Sequence, residues 1–267
     1  MEMIIKAIIL GIIEGLTEFL PVSSTGHLIL ANDYLKFEGE FANLFAIVIQ
    51  SGAIVAVLIY FRDKVFPTFK SKQATKEYIS LWSKVIVGII PAGFLGVVLG
   101  LDEIIEQYLF KPIPVALALI FGALLIMFAE NRFKDVKVEH ESEITYKQAF
   151  IVGCAQCMAL IPGMSRSAST IIGGLFLGFN RPVAAEFSFF LAIPTLLGAS
   201  LIKLLKAGFA FSSFEWLVLG IGTFVSFVVA YVVIAFFMNY IKKNDFKVFA
   251  YYRIVLGIIV LARAFML

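Results

Sequence analysis

Glu14 and Glu18 stand four residues apart in EGLTEFLPVSSTGHL, residues 14–28, a stretch whose surroundings are almost wholly apolar. On a helix that spacing puts both carboxylates on one face, where they repel unless a proton, a divalent cation or an arginine compensates them. Pro21 stops such a helix because it brings no amide hydrogen to the ladder. Ser23, Ser24 and Thr25 then supply hydroxyls where the next helix begins, and at least one of them is expected to serve as its N-cap. Capping does not account for His27, two residues past the hydroxyl run and one of only two histidines in the chain. Its imidazole can relay a proton near neutral pH. Acids, hydroxyls and an imidazole within fourteen positions are the parts needed to activate a nucleophile.

A second polar island, PGMSRSAST at residues 162–170, carries Arg166, the only basic residue in the apolar run 148–178. A guanidinium left unpaired there costs at least ~2.5 kcal/mol on insertion scales, so it requires an anion. Ser165, Ser167, Ser169 and Thr170 surround it, and the helix that follows presents its free amides and positive dipole end to the same place. Arginine, hydroxyls and free amides describe a phosphate site. An internal partner, Glu14 or Glu18, is the other anion available to Arg166.

The elements holding these residues must lie in a membrane. The 267 residues are 61% hydrophobic and 15% charged, with a mean hydropathy of +0.96, far from the usage of soluble domains. Apolar runs recur at about 3–22, 41–61, 79–101, 112–130, 148–178, 182–206, 214–239 and 248–267, most near the ~20 residues that span a bilayer. Basic residues concentrate in the loops 62–78 (Arg62, Lys64, Lys70, Lys72, Lys76), 131–147 (Arg132, Lys134, Lys137, Lys147) and 240–247 (Lys242, Lys243, Lys247), so these three are expected to be cytoplasmic. The acidic segment 102–111 and the uncharged 207–213 read as external, with Lys203 and Lys206 counting slightly against the latter. The N-terminus has no small-residue cleavage site and is not expected to be removed. Cys154 and Cys157 have no second Cys or His pair to complete a zinc site and read as two small buried residues.

The chain also resembles itself. GIIEGLTEFLPVSSTGHLIL from Gly11 lies beside GCAQCMALIPGMSRSASTII from Gly153, matching Gly11 with Gly153, Glu14 with Gln156 and, after a one-residue gap, Pro21 with Pro162. In each half a helix of about 18 residues ends at a proline, a polar turn follows, and a short helix of about 12 begins. Neither arm spans comfortably, and such breaks are tolerated only where protein or a wet cavity covers them. Each is read as a re-entrant hairpin followed by three spans, and three is odd, so the second half is inverted. The expectation is one all-α polytopic membrane domain, 1–267, of two inverted-topology repeats: about 1–130, a cytoplasmic linker 131–147, and about 148–267. Both termini would be external and the two turns would meet near mid-membrane.

The pairing of EGLTEFLPVSSTGH with PGMSRSAST resembles the bacterial undecaprenyl pyrophosphate phosphatase family of bacitracin-resistance proteins, over essentially the whole chain. Glu14 and Glu18 meet the family's acid or glutamine, three residues, then acid, and Pro162 to Thr170 meets PGxSRSxxT. The resemblance implies hydrolysis of undecaprenyl pyrophosphate to the monophosphate carrier used in cell-wall synthesis. It also implies a homodimer in the bacterial plasma membrane with its site facing outward. The partners expected are the membrane and this lipid, with no nucleic acid. In that setting Arg166 with Ser165, Ser167, Thr170 and Gly163, and Ser23 and Thr25 opposite, would hold the pyrophosphate. Ser24 is the candidate nucleophile, with water or His27 as alternatives, and His27 would move the proton. Glu14 and Glu18 would either orient His27 or bind Mg2+ or Ca2+ across the phosphates.

The other serine, histidine and SR-motif lipid phosphatases need a second histidine after the SR pair; His140 lies among glutamates in a charged loop, which excludes that mechanism. A transporter or flippase of polyprenyl phosphate lipids has the same architecture without needing Ser24 or His27. A purely structural membrane protein leaves Arg166 and the glutamates unexplained. Arg181 and Glu186, near the start of the span at 182, are open to two readings, a contribution to the site or helix-end pairing at the interface.

Overall fold

The computed structural model describes residues 1–67, 71–132, 135–208 and 211–266. Lys70 and Lys134 lie outside the described residues, as do the side chains of Asp102, Glu103 and Glu106. Thirteen α-helices are described, α1 Glu2–Thr17, α2 Ser24–Leu35, α3 Glu40–Val48, α4 Gln50–Tyr60, α5 Arg62–Val65, α6 Lys72–Gly93, α7 Leu101–Leu109, α8 Pro112–Arg132, α9 Tyr146–Gln156, α10 Arg166–Phe176, α11 Arg181–Lys206, α12 Ser213–Ile241 and α13 Lys247–Met266. The described residues contain no strand, only one isolated bridge between Val138 and Phe179.

Among the described residues six stretches are long and apolar enough to cross a bilayer: Glu40–Tyr60, Lys72–Val98, Pro112–Arg132, Arg181–Lys206, Ser213–Ile241 and Lys247–Met266. The protein is therefore an all-α, multi-pass membrane protein. The first span is α3 run into α4 through Ile49, whose backbone stays helical. The second continues past Pro91 as one wide turn, Phe94–Val98, the local adjustment a helix makes when proline removes a donor. Most of the segment 102–111, read as external, lies in α7.

The broken segments fall where the polar islands are. α1 stops at Thr17 and α2 begins at Ser24; α9 tightens into a 3-10 turn, Cys157–Leu160, and α10 begins at Arg166. At ~1.5 Å per residue none of these arms reaches the ~30 Å of a hydrocarbon core.

The hairpins pack on the opposite halves of the chain. α1 lies along α12 and α9 along α6, while α8 lies against α13 and α4 against α12 and α11. Gly11 and Gly153, matched in the sequence, each make one of these crossings possible. A Cβ on Gly11 would stand 2.7 Å from the Gly222 carbonyl oxygen of α12, and one on Gly153 would collide with the Gly88 carbonyl of α6. Small residues let backbones approach where apolar lipid gives helices no other reason to associate. Gly153→Val is expected to destabilise the fold by about 1–3 kcal/mol or more through overpacking, read as a lowered Tm and loss of monodisperse protein in detergent.

The three basic loops gather at one end. Lys64 bonds both Glu141, at 2.8 Å, and Glu186, Lys84 donates to the Ser142 carbonyl at 2.9 Å, and Arg181 grips Glu130, whose other contact is the Phe246 amide. Burial works against the charge on Lys64, but the Glu141 and Glu186 carboxylates outweigh it and hold its pKa above the ordinary lysine value. Arg181 and Glu186 are thus end-of-helix ion pairs, as their positions suggested, and His140 is exposed. At the other end Arg263 pairs with Asp33 at 2.7 Å and Lys6 reaches the Lys36 carbonyl, bringing both terminal helices beside the end of α2.

Candidate active site

Both short helices start in the same unusual way. Ser23 caps α2 with φ 73° and Ser165 caps α10 with φ 70°, backbone conformations that cost a non-glycine residue about 1–3 kcal/mol and collect at functional sites. Each hydroxyl accepts from the amide three residues on, Gly26 at 3.4 Å and Ala168 at 3.3 Å. The caps, more than the prolines, are the matching points, so the second turn has one residue more between proline and cap. The residues after the caps, Ser24 and Arg166, are then equivalent, each the first of its helix.

These two meet on one carboxylate. Ser24 Oγ donates to Glu18 Oε2 at 2.8 Å, and Arg166 Nη2 donates to Glu18 Oε1 at 3.0 Å. Glu18 and Arg166 are both buried, and removing either partner of such a pair costs about 3–5 kcal/mol. Of the two internal anions open to Arg166, the structure selects Glu18. Nη1 of Arg166 is held by the carbonyl and hydroxyl of Ser188, at 3.0 and 3.3 Å, Thr170 Oγ1 donates to the same hydroxyl at 2.7 Å, and the guanidinium rests over Phe19. Nε of Arg166 has no hydrogen-bond partner within the described structure.

The remaining hydroxyls tie the breaks together. Ser167 donates to the Leu20 carbonyl of the first break at 2.9 Å and lies 3.0 Å from Ser165 Oγ, while Ser169 donates to the Ser165 carbonyl at 2.8 Å. Thr25 is half-buried one position along α2. Gly163 has φ 97°, and a Cβ there would stand 2.5 Å from the Val115 carbonyl oxygen, so it seats the second turn against α8.

Glu14 is fully buried and neither of its oxygens has a hydrogen-bond partner within the described structure. Gln156, its match in the second arm, is buried with its amide equally unpartnered. A bare carboxylate in such a place requires a proton or a cation. The described residues hold no group of three or more His, Cys, Asp or Glu close enough for a metal. Of the two carboxylates only Glu14 has open oxygens, since those of Glu18 are held by Ser24 and Arg166, and oxygen ligands of this kind suit a hard cation.

His27 is not on the Ser24 hydroxyl. Its Nδ1 lies 2.8 Å from the Ser23 carbonyl and its Nε2 2.6 Å from the Tyr252 hydroxyl. Between the two breaks sits Arg253 of α13, fully buried, donating to the carbonyls of Pro21 and Met164 from Nη1, Ala118 and Gly163 from Nη2, and Leu119 from Nε. Arg253, Tyr252 and Ser188 are absent from the sequence reading. Arg253 alone carried a signal, an arginine in the apolar run 248–267.

The fold and site define a class: a polytopic membrane protein in which two helices, begun inside the protein by strained serine caps, converge on a buried glutamate through a serine and an arginine. A family model described as Bacitracin resistance protein BacA matches residues 7–259. Undecaprenyl-diphosphatase 1 of Clostridioides difficile (strain 630) is 54% identical over 99% of this chain and 97% of its own length. The undecaprenyl-diphosphatases of Enterococcus faecalis and Caldanaerobacter subterraneus subsp. tengcongensis are 48% and 46% identical, covering 97% and 98% of this chain and 96% of their own lengths in both cases. The chain belongs to the BacA family of bacitracin resistance proteins.

Proposed function

We propose that the protein hydrolyses undecaprenyl pyrophosphate to undecaprenyl phosphate and inorganic phosphate, recycling the lipid carrier of peptidoglycan synthesis and giving bacitracin resistance. The observation that carries this reading is the meeting of Ser24 and Arg166 on Glu18, within a chain whose relatives bear that enzyme's name. Phosphoryl transfer is mostly positioning and charge stabilisation. The terminal phosphate takes the place of Glu18 on Arg166, using the free Nε hydrogen and the first amides of α10. Ser24 Oγ attacks phosphorus while Glu18, released from Arg166, takes the hydroxyl proton. The bridging P–O bond breaks, and the proton leaves with undecaprenyl phosphate. Water then attacks the phosphoserine; Glu18 takes its proton and returns it to Ser24 as phosphate departs. Ser23, Thr25, Ser165, Ser167, Thr170 and Gly163 shape the cradle.

Glu14 and Glu18 are the residues that would hold Mg2+ or Ca2+. Such an ion supplies positive charge to the phosphate oxygens and compensates the two acids.

The basic end, with loops 62–78, 131–147 and 240–247, faces the cytoplasm of a bacterial plasma membrane by the positive-inside rule. The termini and the mouth of the site then face the external or periplasmic side. The halves, about 1–130 and 148–267, form a single domain of inverted repeats. Two copies form a homodimer. A cavity of about 330 Å³ beside α2 is lined by Ile29, Leu30, Phe110 and Val260 together with the charged Asp33, Glu38 and Arg263.

Phosphate release from undecaprenyl pyrophosphate by pure protein in detergent tests the activity, since no compartments exist there to transport between. No release returns the transporter reading. Chelation is expected to stop release and added Mg2+ or Ca2+ to restore it; full turnover in excess chelator removes the metal from Glu14 and Glu18.

A further inference from the structure

The two nitrogens of His27 are both committed, and the way they are committed assigns their hydrogens. Nδ1 lies 2.8 Å from the Ser23 carbonyl, which only accepts, so Nδ1 carries the hydrogen. In the neutral ring Nε2 is then an acceptor, and the Tyr252 hydroxyl at 2.6 Å donates to it. The two rings lie nearly parallel, 9° apart with centroids 5.5 Å from each other. To act as a base on Ser24, His27 would have to break both bonds, and the Ser24 hydroxyl is already directed at Glu18.

The carbonyl that His27 holds belongs to the peptide joining Ser23 to Ser24. Ser23 is one of the two strained caps, and such a conformation persists only when its surroundings over-determine it. The line from Tyr252 through His27 to the Ser23 carbonyl therefore ends on the peptide that aims Ser24. It begins on α13, the helix whose next residue, Arg253, ties both breaks together.

We propose that Tyr252 is a positioning residue: by donating to His27 Nε2 it holds the imidazole against the Ser23 carbonyl and, through that carbonyl, fixes the orientation of Ser24. His27 in this arrangement is a strut and not a proton carrier. The inference deepens the phosphatase reading, on which only its kinetic arm rests.

With two histidines in the chain, nitrogen-15 NMR of histidine-labelled protein carrying His140→Gln observes His27 alone. The neutral Nδ1–H signature is expected, and Tyr252→Phe is expected to keep it, because the Ser23 carbonyl remains, while shifting the Nε2 resonance as its hydrogen bond is lost. The same substitution should lower kcat by about tenfold to a hundredfold with KM little changed, the usual range for a group that orients another. Adding His27→Ala to Tyr252→Phe should cost little more, because both act through one line of contacts. An Nε2–H signature in the Tyr252 protein overturns the proposal, as does a Tyr252→Phe protein with an unchanged Nε2 resonance or unchanged kcat, or full additivity with His27→Ala. No phosphate release by the unsubstituted protein, with the Nδ1–H signature present and the Nε2 resonance shifted in Tyr252→Phe, leaves the strut standing and removes the phosphatase reading instead.

Discussion

Ser24→Ala and Glu18→Gln should each lower phosphate release by about three orders of magnitude, the range set by losing a nucleophile or its positioned base. The double variant should fall little further. Ser24 Oγ and Glu18 Oε2 share one hydrogen bond at 2.8 Å, so the first substitution already disables the step that the second removes, and residues acting as a unit are grossly non-additive. Glu18→Gln also deprives buried Arg166 of its counter-charge, a loss of about 3–5 kcal/mol that must be separated from chemistry. Thermal melting in detergent reports the first effect and turnover of the surviving folded fraction the second. Ser24→Ala leaves the Glu18–Arg166 pair at 3.0 Å untouched and should melt close to the parent. Turnover of Ser24→Ala near the parent rate would pass the attack to water or to His27. Retained turnover in Glu18→Gln would remove Glu18 as the base.

Much of this site was legible because charge inside an apolar run is expensive and local. Glu14, Glu18 and Arg166 declare themselves without any structure, and Pro21 and Pro162 declare that the helices beside them stop. The six spans follow from length and hydropathy alone. What the one-dimensional pattern did not contain was who holds whom. Arg166 had two candidate anions, and only the meeting of the α2 and α10 starts selects Glu18 over Glu14. His27 follows the hydroxyl run by two residues, which invites a proton-transfer role; on a helix it instead turns back one turn to its own Ser23 carbonyl and outward to a phenol 225 residues away. Ser188 lies in a stretch of phenylalanines whose spacing carries no mark of an arginine partner. Arg253 broke the same rule as Arg166, yet lay in the last span, far from either motif.

Arg253 provides the sharpest structural test. Its guanidinium donates five bonds to five carbonyls, two from α8, one from the first break and two from the second, and nothing but a planar fork of donors fits that set. Gly122 faces it, and a Cβ there would collide with Nη2. Arg253→Leu strands the break carbonyls of Pro21, Gly163 and Met164 at about 1–3 kcal/mol each, while those of Ala118 and Leu119 keep their partners within α8, and the sum is comparable with the 5–15 kcal/mol by which a typical domain is stable. This variant should not accumulate as folded protein. Arg253→Lys keeps a charge and three donors, so it should fold with a lowered Tm while no longer holding Pro21 against Met164 and Gly163. Ser24 lies three residues past Pro21, and Arg166 three past Gly163. A drift of about 1 Å between them is worth about a hundredfold in rate, and that is the loss expected in kcat. Gly122→Ala, which pushes the guanidinium without removing it, should show a smaller loss of the same kind. A folded Arg253→Lys enzyme with the parent kcat would mean that the breaks hold their register by the Ser167–Leu20 bond and the Glu18–Arg166 pair alone.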